Sequence, residues 1–80
     1  MEAGFPEFRR SKDNKTYYKI TSMTHFEEIK IIGSSAVIFQ TNAKQLPEQN
    51  YIRDLITSPS PHFDPITEEE YNKIKKLYDL

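Results

Sequence analysis

Two stretches of the first half of the chain contain β-branched and aromatic residues among polar ones, and a cluster of turn-forming residues interrupts each stretch. In the stretch 8–22, apolar and charged residues can be assigned to opposite faces of a strand pair, as the period of two of a half-buried β-strand requires. Lys12, Asp13 and Asn14 interrupt this stretch, and Asn14 tolerates the left-handed conformation that a three-residue hairpin loop needs. The stretch is therefore predicted to form a hairpin.

A three-residue loop also determines which residues of this first hairpin face each other. It places Phe8 opposite Tyr18 and Arg9 opposite Tyr17. Phe8, Tyr18 and Ile20 then share one face of the hairpin. Because that face is apolar, it is predicted to be the buried side of a half-buried sheet.

A second hairpin is predicted over 27–41. A two-residue Gly33-Ser34 loop suits a type II′ turn, because glycine adopts a positive φ without strain. This loop pairs Ile29 with Ile38 on one face of the hairpin. The other face, which carries Val37 and Phe39 beside charged residues, is only partly apolar.

A competing interpretation makes 24–32 a helix. Thr24 and Glu27 form a capping box, and Gly33 is a natural helix C-cap. The isoleucines before Gly33 and the apolar run 36–39 after it favour strands, because β-branched and aromatic residues pack well on a pleated sheet.

The segment 51–56 is ambiguous. Its apolar positions 51, 52, 55 and 56 fit a helical stripe. The sequence TSPSP follows at once and leaves barely two helical turns. We favour a strand here, with a helix as the alternative.

The last segment of the chain has the pattern of a helix start. Thr67 and Glu70 form a capping box, and Ile66 and Tyr71 stand where the hydrophobic staple is found. Three glutamates lie at the positive end of the helix dipole, and lysines lie toward its negative end. One apolar stripe of this helix contains Tyr71, Ile74, Leu77 and Tyr78.

The order of these elements predicts an α+β fold, with an antiparallel sheet of four to five strands, built from hairpins, and one C-terminal helix packed on one face. Residues 1–80 are expected to form a single small domain, with 1–6 as a flexible N-terminal arm. The predicted core consists of Phe8, Tyr18, Ile20, Ile29, Ile31, Ala36, Ile38, Ile66, Tyr71, Ile74 and Leu77.

Composition narrows the functional classes. The net charge is −1, so no overall field draws the chain to nucleic acid or to anionic lipid. The absence of cysteine excludes disulfides, thiolate metal sites and cysteine nucleophiles. No apolar run approaches the roughly 20 residues that cross a bilayer, and the first residues lack the layout of a signal peptide. A cytoplasmic protein without membrane contact is expected.

The stretch HFDPITEEE contains the highest density of groups that could do chemistry. Its glutamates are explained by the helix start. His62 and Asp64 alternate by two in an extended segment and share a face, but two such ligands without a third are poor support for a metal. No catalytic residue, metal ligand or cofactor is predicted, and the chain is expected not to be an enzyme.

Two surfaces are candidates for binding. The predicted register of the first hairpin groups basic residues around an aromatic ring, which is typical of a nucleic-acid platform. The same register explains this group structurally, as a cation–π pair of Arg9 with Tyr17 and an ion pair of Glu7 with Lys19. This candidate partner or nucleic-acid surface consists of Arg9, Lys15, Tyr17 and Lys19.

The second candidate surface is a self-association face formed by Ile32, Val37 and Phe39. If the helix covers only the face that carries Ile29, these three residues face water and pairing with a second copy would bury them. By elimination, the sequence indicates a small cytoplasmic protein-interaction module of accessory or regulatory type, with a protein partner or a homodimer. The alternative is a nucleic-acid-binding domain.

Three segments of the chain, NKTYYKI, FEEIKIIG and ITEEEYNKI, resemble short uncharacterised proteins of Bacteroidetes-type bacteria. The resemblance covers about residues 8–72. Its motifs are structural, so it implies no activity, no cofactor and no functional residue.

Overall fold

A five-stranded antiparallel sheet with one C-terminal helix packed against it forms the fold, which confirms the predicted α+β class. The computed structural model describes residues 5–42, 50, 52–53, 55–56 and 62–80. The strand order is β4-β3-β2-β1-β5, so β4 and β5 are the two edges. The strands are β1 Glu7–Ser11, β2 Thr16–Ile20, β3 His25–Ile32, β4 Ser35–Asn42 and β5 Phe63–Pro65.

The first hairpin forms, but its register differs by one residue from the predicted one. Arg9 pairs with Tyr18, and Phe8 pairs with Lys19. Because successive side chains of a strand point to opposite faces, a slip of one residue moves the whole strand's side chains to the other face. Phe8 therefore lies on the opposite side of the sheet from Tyr18 and Ile20, and the predicted grouping of these three residues is wrong.

Side-chain hydrogen bonds explain the longer loop. The Ser11 hydroxyl donates to the Asp13 carboxylate at 2.6 Å and accepts from the Thr16 N–H at 3.0 Å. Asp13 also accepts from the Lys15 N–H at 3.0 Å, and Asn14 adopts the predicted left-handed conformation with a φ of 62°. These bonds stabilise a loop of four residues between β1 and β2, one residue longer than the predicted loop.

The second hairpin has the predicted register. Ile29 pairs with Ile38, and Ile31 pairs with Ala36. Gly33 has a φ of 63°, as the predicted two-residue loop requires. The alternative helix over residues 24–32 is wrong, because His25 to Ile32 is a strand.

The two sides of the sheet carry separate apolar clusters. We call face A the side that carries Tyr18, Ile20 and Phe26, and face B the side that carries Phe8 and Ile29. Each face is covered by a different part of the chain. The sheet is therefore the middle layer of three.

Face A is covered by helical residues of a segment for which the sequence favours a strand. Residues 50, 52, 53, 55 and 56 are helical, and we call them the short helical stretch. Ile52 and Leu55 are fully buried against Tyr18, Ile20 and Phe26. The prediction of a strand is wrong at residues 52, 53, 55 and 56, because the helical spacing of Ile52 and Leu55 suits one-sided packing on a sheet.

Face B is covered by the C-terminal helix, Glu68–Leu77. The Thr67 hydroxyl accepts from the Glu70 N–H at 3.1 Å, which confirms the predicted cap. Tyr71 is fully buried, and its ring centroid lies 5.4 Å from that of Phe8.

Two predicted core residues are exposed. Leu77, in the last turn of the helix, is 71% exposed, and Ile38 on β4 is 37% exposed. The helix packs mainly on β1 and β2, so it does not extend over the β4 edge. Residues 1–4 of the predicted arm lie outside the described residues, and Phe5 packs against the cluster on face A. Of the other predicted core residues, Phe8, Tyr18, Ile20, Ile29 and Tyr71 are buried, and Ile31, Ala36, Ile66 and Ile74 are half-buried.

Candidate interaction surface

The two edges of the sheet differ in how well they are protected. β5 has three residues, of which Asp64 is charged and Pro65 has no N–H to donate. β4 has eight residues, none of them charged and none a proline, and it pairs with β3 along its whole length without a bulge. Within the described part of the chain, no strand pairs with the outer side of β4. This is the kind of edge to which another strand can add.

The hydrogen bonds of β3 determine which backbone groups of β4 point outward. The Ile31 N–H donates to the Lys15 carbonyl, and the Thr21 N–H donates to the His25 carbonyl. Odd-numbered residues of β3 are therefore bonded to β2, and the even-numbered ones are bonded to the odd-numbered residues of β4. The β4 residues whose N–H and C=O groups point outward are Ala36, Ile38, Gln40 and Asn42.

The predicted self-association face lies beside this edge. Ile32, Val37 and Phe39 are all on face A and are 63%, 38% and 49% exposed, and we call them the edge patch. The short helical stretch packs on Tyr18 and Phe26 and leaves the edge patch uncovered. The exposure expected for these three residues is confirmed, while their role in self-association stays a prediction.

A pair of charged residues flanks the edge patch on β3. Lys30 lies opposite Val37 and Glu28 lies opposite Phe39, and the Lys30 ammonium is 3.8 Å from the Glu28 carboxylate. The Glu28 side chain retains 14% of its exposure. Burial raises the pKa of Glu28, and the charge of Lys30 opposes this shift.

An apolar side chain is also exposed on the other side of the same strand. Ile38 is on face B, opposite the fully buried Ile29. The predicted pairing with Ile29 places Ile38 in the core. Its partial exposure follows from its position on the outermost strand, which a hairpin pattern alone does not reveal.

The predicted basic surface is not assembled, because Arg9 is buried. It lies on face A with 7% of its surface exposed. Its Nε donates to the Leu55 carbonyl at 2.9 Å, and its two terminal nitrogens donate to the Phe8 carbonyl at 2.8 Å and to the Glu7 carboxylate at 2.7 Å. A longer bond of 3.4 Å reaches the Ile56 carbonyl. Arg9 therefore joins β1 to the short helical stretch.

The other three members of that surface are placed elsewhere. Tyr17 and Lys19 point to face B, and Tyr17 is half-buried against the cluster of Phe8, Ile29 and Tyr71. Lys15 lies in the loop before β2. The predicted Arg9–Tyr17 cation–π pair is wrong, and the predicted Glu7–Lys19 ion pair is replaced by the bond from Arg9 to Glu7.

Asp64 joins two strands of the sheet. Its carboxylate accepts from the Arg10 guanidinium at 3.2 Å and from the Lys12 ammonium at 2.5 Å. These two hydrogen bonds lower the pKa of Asp64. Among the described residues no group of three His, Cys, Asp or Glu could hold a metal ion. The structure thus gives Asp64 a structural role.

A groove of about 460 Å³ lies on the sheet where Lys19, Glu27 and Gln40 form a row across three strands. The Glu27 carboxylate accepts from the Tyr71 hydroxyl at 2.7 Å and lies 3.4 Å from the Lys75 ammonium. Burial and the bond to Glu27 raise the pKa of Tyr71. Glu27 is therefore part of the contact that fixes the helix on face B.

No protein-family model, curated protein or solved structure matches this chain. None of the helices in its described ranges has the length and apolar content needed to cross a membrane.

Proposed function

We propose that the chain is a small cytoplasmic protein-interaction module, accessory or regulatory rather than catalytic, and that the β4 edge is its binding surface. The observation that carries this proposal is the eight-residue edge strand without charge, proline or bulge. Natural sheets usually protect an edge of this kind with charge, proline or a covering element.

The binding mode that fits is strand addition. The outward N–H and C=O groups of β4 supply hydrogen bonds to an extended segment, and its side chains supply specificity at alternate positions. Val37 and Phe39 on face A and Ile38 on face B offer apolar contacts on both sides of the added strand. The partner is therefore an extended protein segment with apolar residues on both of its faces.

Three carboxylates that could act in catalysis are engaged in holding the fold. Asp64 joins β5 to Arg10 and Lys12, and Glu27 holds Tyr71. Glu7 is bonded to the buried Arg9. These contacts support a binding role over an enzymatic one.

Peptide binding followed by NMR tests the proposal. Two peptides, one with the β4 sequence SAVIFQTN between flanking lysines and one of alternating valine and threonine, are titrated into low-micromolar labelled protein. We expect both to shift the amide resonances of Ala36, Ile38 and Gln40, because their N–H groups point outward. The matched control peptides carry proline at alternate positions and cannot donate to the edge. If neither strand-forming peptide moves these resonances at millimolar concentration, the β4 edge is not a binding surface.

A further inference from the structure

The backbone of β4 restricts how a second copy of the strand can pair with it. The outward groups belong to even-numbered residues, so an antiparallel pair must join even-numbered residues to even-numbered residues. For two copies related by a two-fold axis, the axis must then pass beside a single residue. The apolar residues at the centre of β4 lie beside those of the second copy only if this residue is Val37, Ile38 or Phe39.

Charges on face A distinguish these three arrangements. With the axis at Ile38, Val37 lies beside Phe39 of the second copy, and the row across both sheets runs from Lys30 of one copy to Glu28 of the other. An axis at Val37 puts a lysine at both ends of the row through Val37. An axis at Phe39 puts a glutamate at both ends of the row through Phe39. Of the three, the axis at Ile38 is the one that places opposite charges at the two ends.

Face B favours the same axis. Ile38 then lies beside Ile38 of the second copy, and each is flanked on β3 by a buried Ile29. The result is an unbroken apolar row across the joined sheets. With the axis at Phe39, Ile38 would lie beside Gln40, and with the axis at Val37 it would lie beside Ala36. Both alternatives cover the exposed isoleucine less well.

We propose that β4 pairs antiparallel with β4 of a second copy of this chain, about a two-fold axis at Ile38. This inference rests on the proposed function, because it names the partner of the same surface. Three pairs of outward residues supply about six backbone hydrogen bonds, two for each hydrogen-bonded pair. The two five-stranded sheets become one continuous sheet.

A second copy fits the edge because β4 is its own complement. The strand carries no charge, so pairing it with itself brings no like charges into direct contact. Its apolar residues alternate between the two faces around Ile38. Each copy therefore meets apolar residues of the other copy on both faces of the joined sheet. The opposite edge cannot form the same contact, because β5 has three residues and includes Asp64 and Pro65.

Single cysteine variants test the register, because the chain has no cysteine of its own. At the axis, Ile38→Cys brings the two Cα atoms to about 5.5 Å, within the range that a disulfide spans. Val37→Cys and Phe39→Cys leave diagonal pairs at about 8 Å, beyond that range. We expect Ile38→Cys to form a disulfide-linked dimer about tenfold faster than the other two under mild oxidation. Lys73→Cys, on the exposed side of the C-terminal helix, gives the rate of random collision.

Sedimentation of the cysteine-free chain tests the dimer itself. We expect the mass to rise from one 9.4 kDa protomer toward two between micromolar and submillimolar concentrations. Gln40→Pro removes an outward donor without touching the β3–β4 ladder, so two hydrogen bonds are lost per dimer. The dissociation constant should rise by about 10- to 100-fold. Gln40→Ala retains the N–H and should leave the constant nearly unchanged.

Each result decides between distinct conclusions. A wild-type chain that stays at one protomer at submillimolar concentration overturns the dimer. If the strand-forming peptides still bind in that case, the interaction module stands with another partner, and if they do not, both proposals fail. A dimer in which Val37→Cys or Phe39→Cys reacts fastest overturns the axis at Ile38. A dimer insensitive to Gln40→Pro overturns the use of the β4 edge.

Discussion

The Arg9 side chain is hydrogen-bonded to the backbone carbonyl of Leu55, which lies 46 residues further along the chain. The bond length is 2.9 Å, and the same guanidinium also binds the Glu7 carboxylate. A charged side chain from β1 thus satisfies a carbonyl group of the short helical stretch that covers face A. These hydrogen bonds offset the free-energy cost of burying the charge of Arg9. Removing the side chain would leave the Leu55 carbonyl and the Glu7 carboxylate without this donor.

Arg9→Ala is expected to lower the free energy of unfolding by about 3 kcal/mol or more, because the Glu7 carboxylate and the Leu55 carbonyl lose their donor. Urea denaturation followed by circular dichroism measures the loss. Arg10→Ala is the matched control, since Arg10 forms a part-exposed ion pair with Asp64 and should cost about 1 kcal/mol or less. Equal losses for the two variants would show that Arg9 does not hold the short helical stretch.

Tyr71→Phe is expected to lower the free energy of unfolding by about 1–2 kcal/mol. The variant keeps the buried ring and removes the 2.7 Å hydrogen bond from the hydroxyl to the Glu27 carboxylate. A double-mutant cycle with Glu27→Ala isolates the coupling between the two side chains, because each single variant removes one partner of the bond. A coupling energy near zero would mean that the bond contributes nothing to docking of the C-terminal helix.

Local signals in the sequence account for the elements that were predicted correctly. The Thr67 side chain caps the C-terminal helix by accepting a hydrogen bond from the N–H of Glu70, three residues further along. Gly33 fixes the register of the second hairpin by its positive φ. Both features depend on residues a few positions apart. The shared face of Val37 and Phe39 could be predicted for the same reason, because it follows from that register.

The features that were missed depend on contacts between distant parts of the chain. The loop of the first hairpin is lengthened by bonds of the Ser11 side chain, and the slip that results puts Arg9 on face A. The helical conformation at Ile52 and Leu55 is stabilised by burial on strands that lie more than 20 residues earlier. The position of β4 at one edge of the described sheet depends on β5 adding beside β1, which no short pattern specifies.

Glu28→Gln is expected to raise the free energy of unfolding at neutral pH. Burial raises the pKa of Glu28 in the folded state, so the folded state binds the proton more tightly than the unfolded state does. Stability therefore falls as the pH rises from the unfolded pKa through the folded pKa, and above that window the ionised carboxylate carries the full cost of burial. The advantage of Glu28→Gln should be largest above the window and should shrink toward pH 4.5, the ordinary pKa of a glutamate.

Urea denaturation of both proteins at several pH values measures this difference, at low-micromolar concentration so that association does not contribute. Glu69→Gln, on the exposed face of the C-terminal helix, is the control for loss of a carboxylate without burial. A gap between the wild-type chain and Glu28→Gln that stays constant across the pH range would contradict burial as the cause.

Phe39→Ser and Phe26→Ser separate a surface phenylalanine from a core one on the same face of the sheet. Phe39 is 49% exposed in the edge patch, whereas Phe26 is 5% exposed beneath the short helical stretch. At low-micromolar concentration, Phe39→Ser should change the free energy of unfolding by no more than about 1 kcal/mol, because little packing is lost. Phe26→Ser should cost about 3 kcal/mol or more, because it leaves a cavity and buries a hydroxyl.

At submillimolar concentration, Phe39→Ser should also reduce association, since Phe39 lies beside Val37 of the second copy in the proposed pair. A loss as large for Phe39→Ser as for Phe26→Ser would place Phe39 in the core, and the edge patch would then have no free surface with which to bind a second copy.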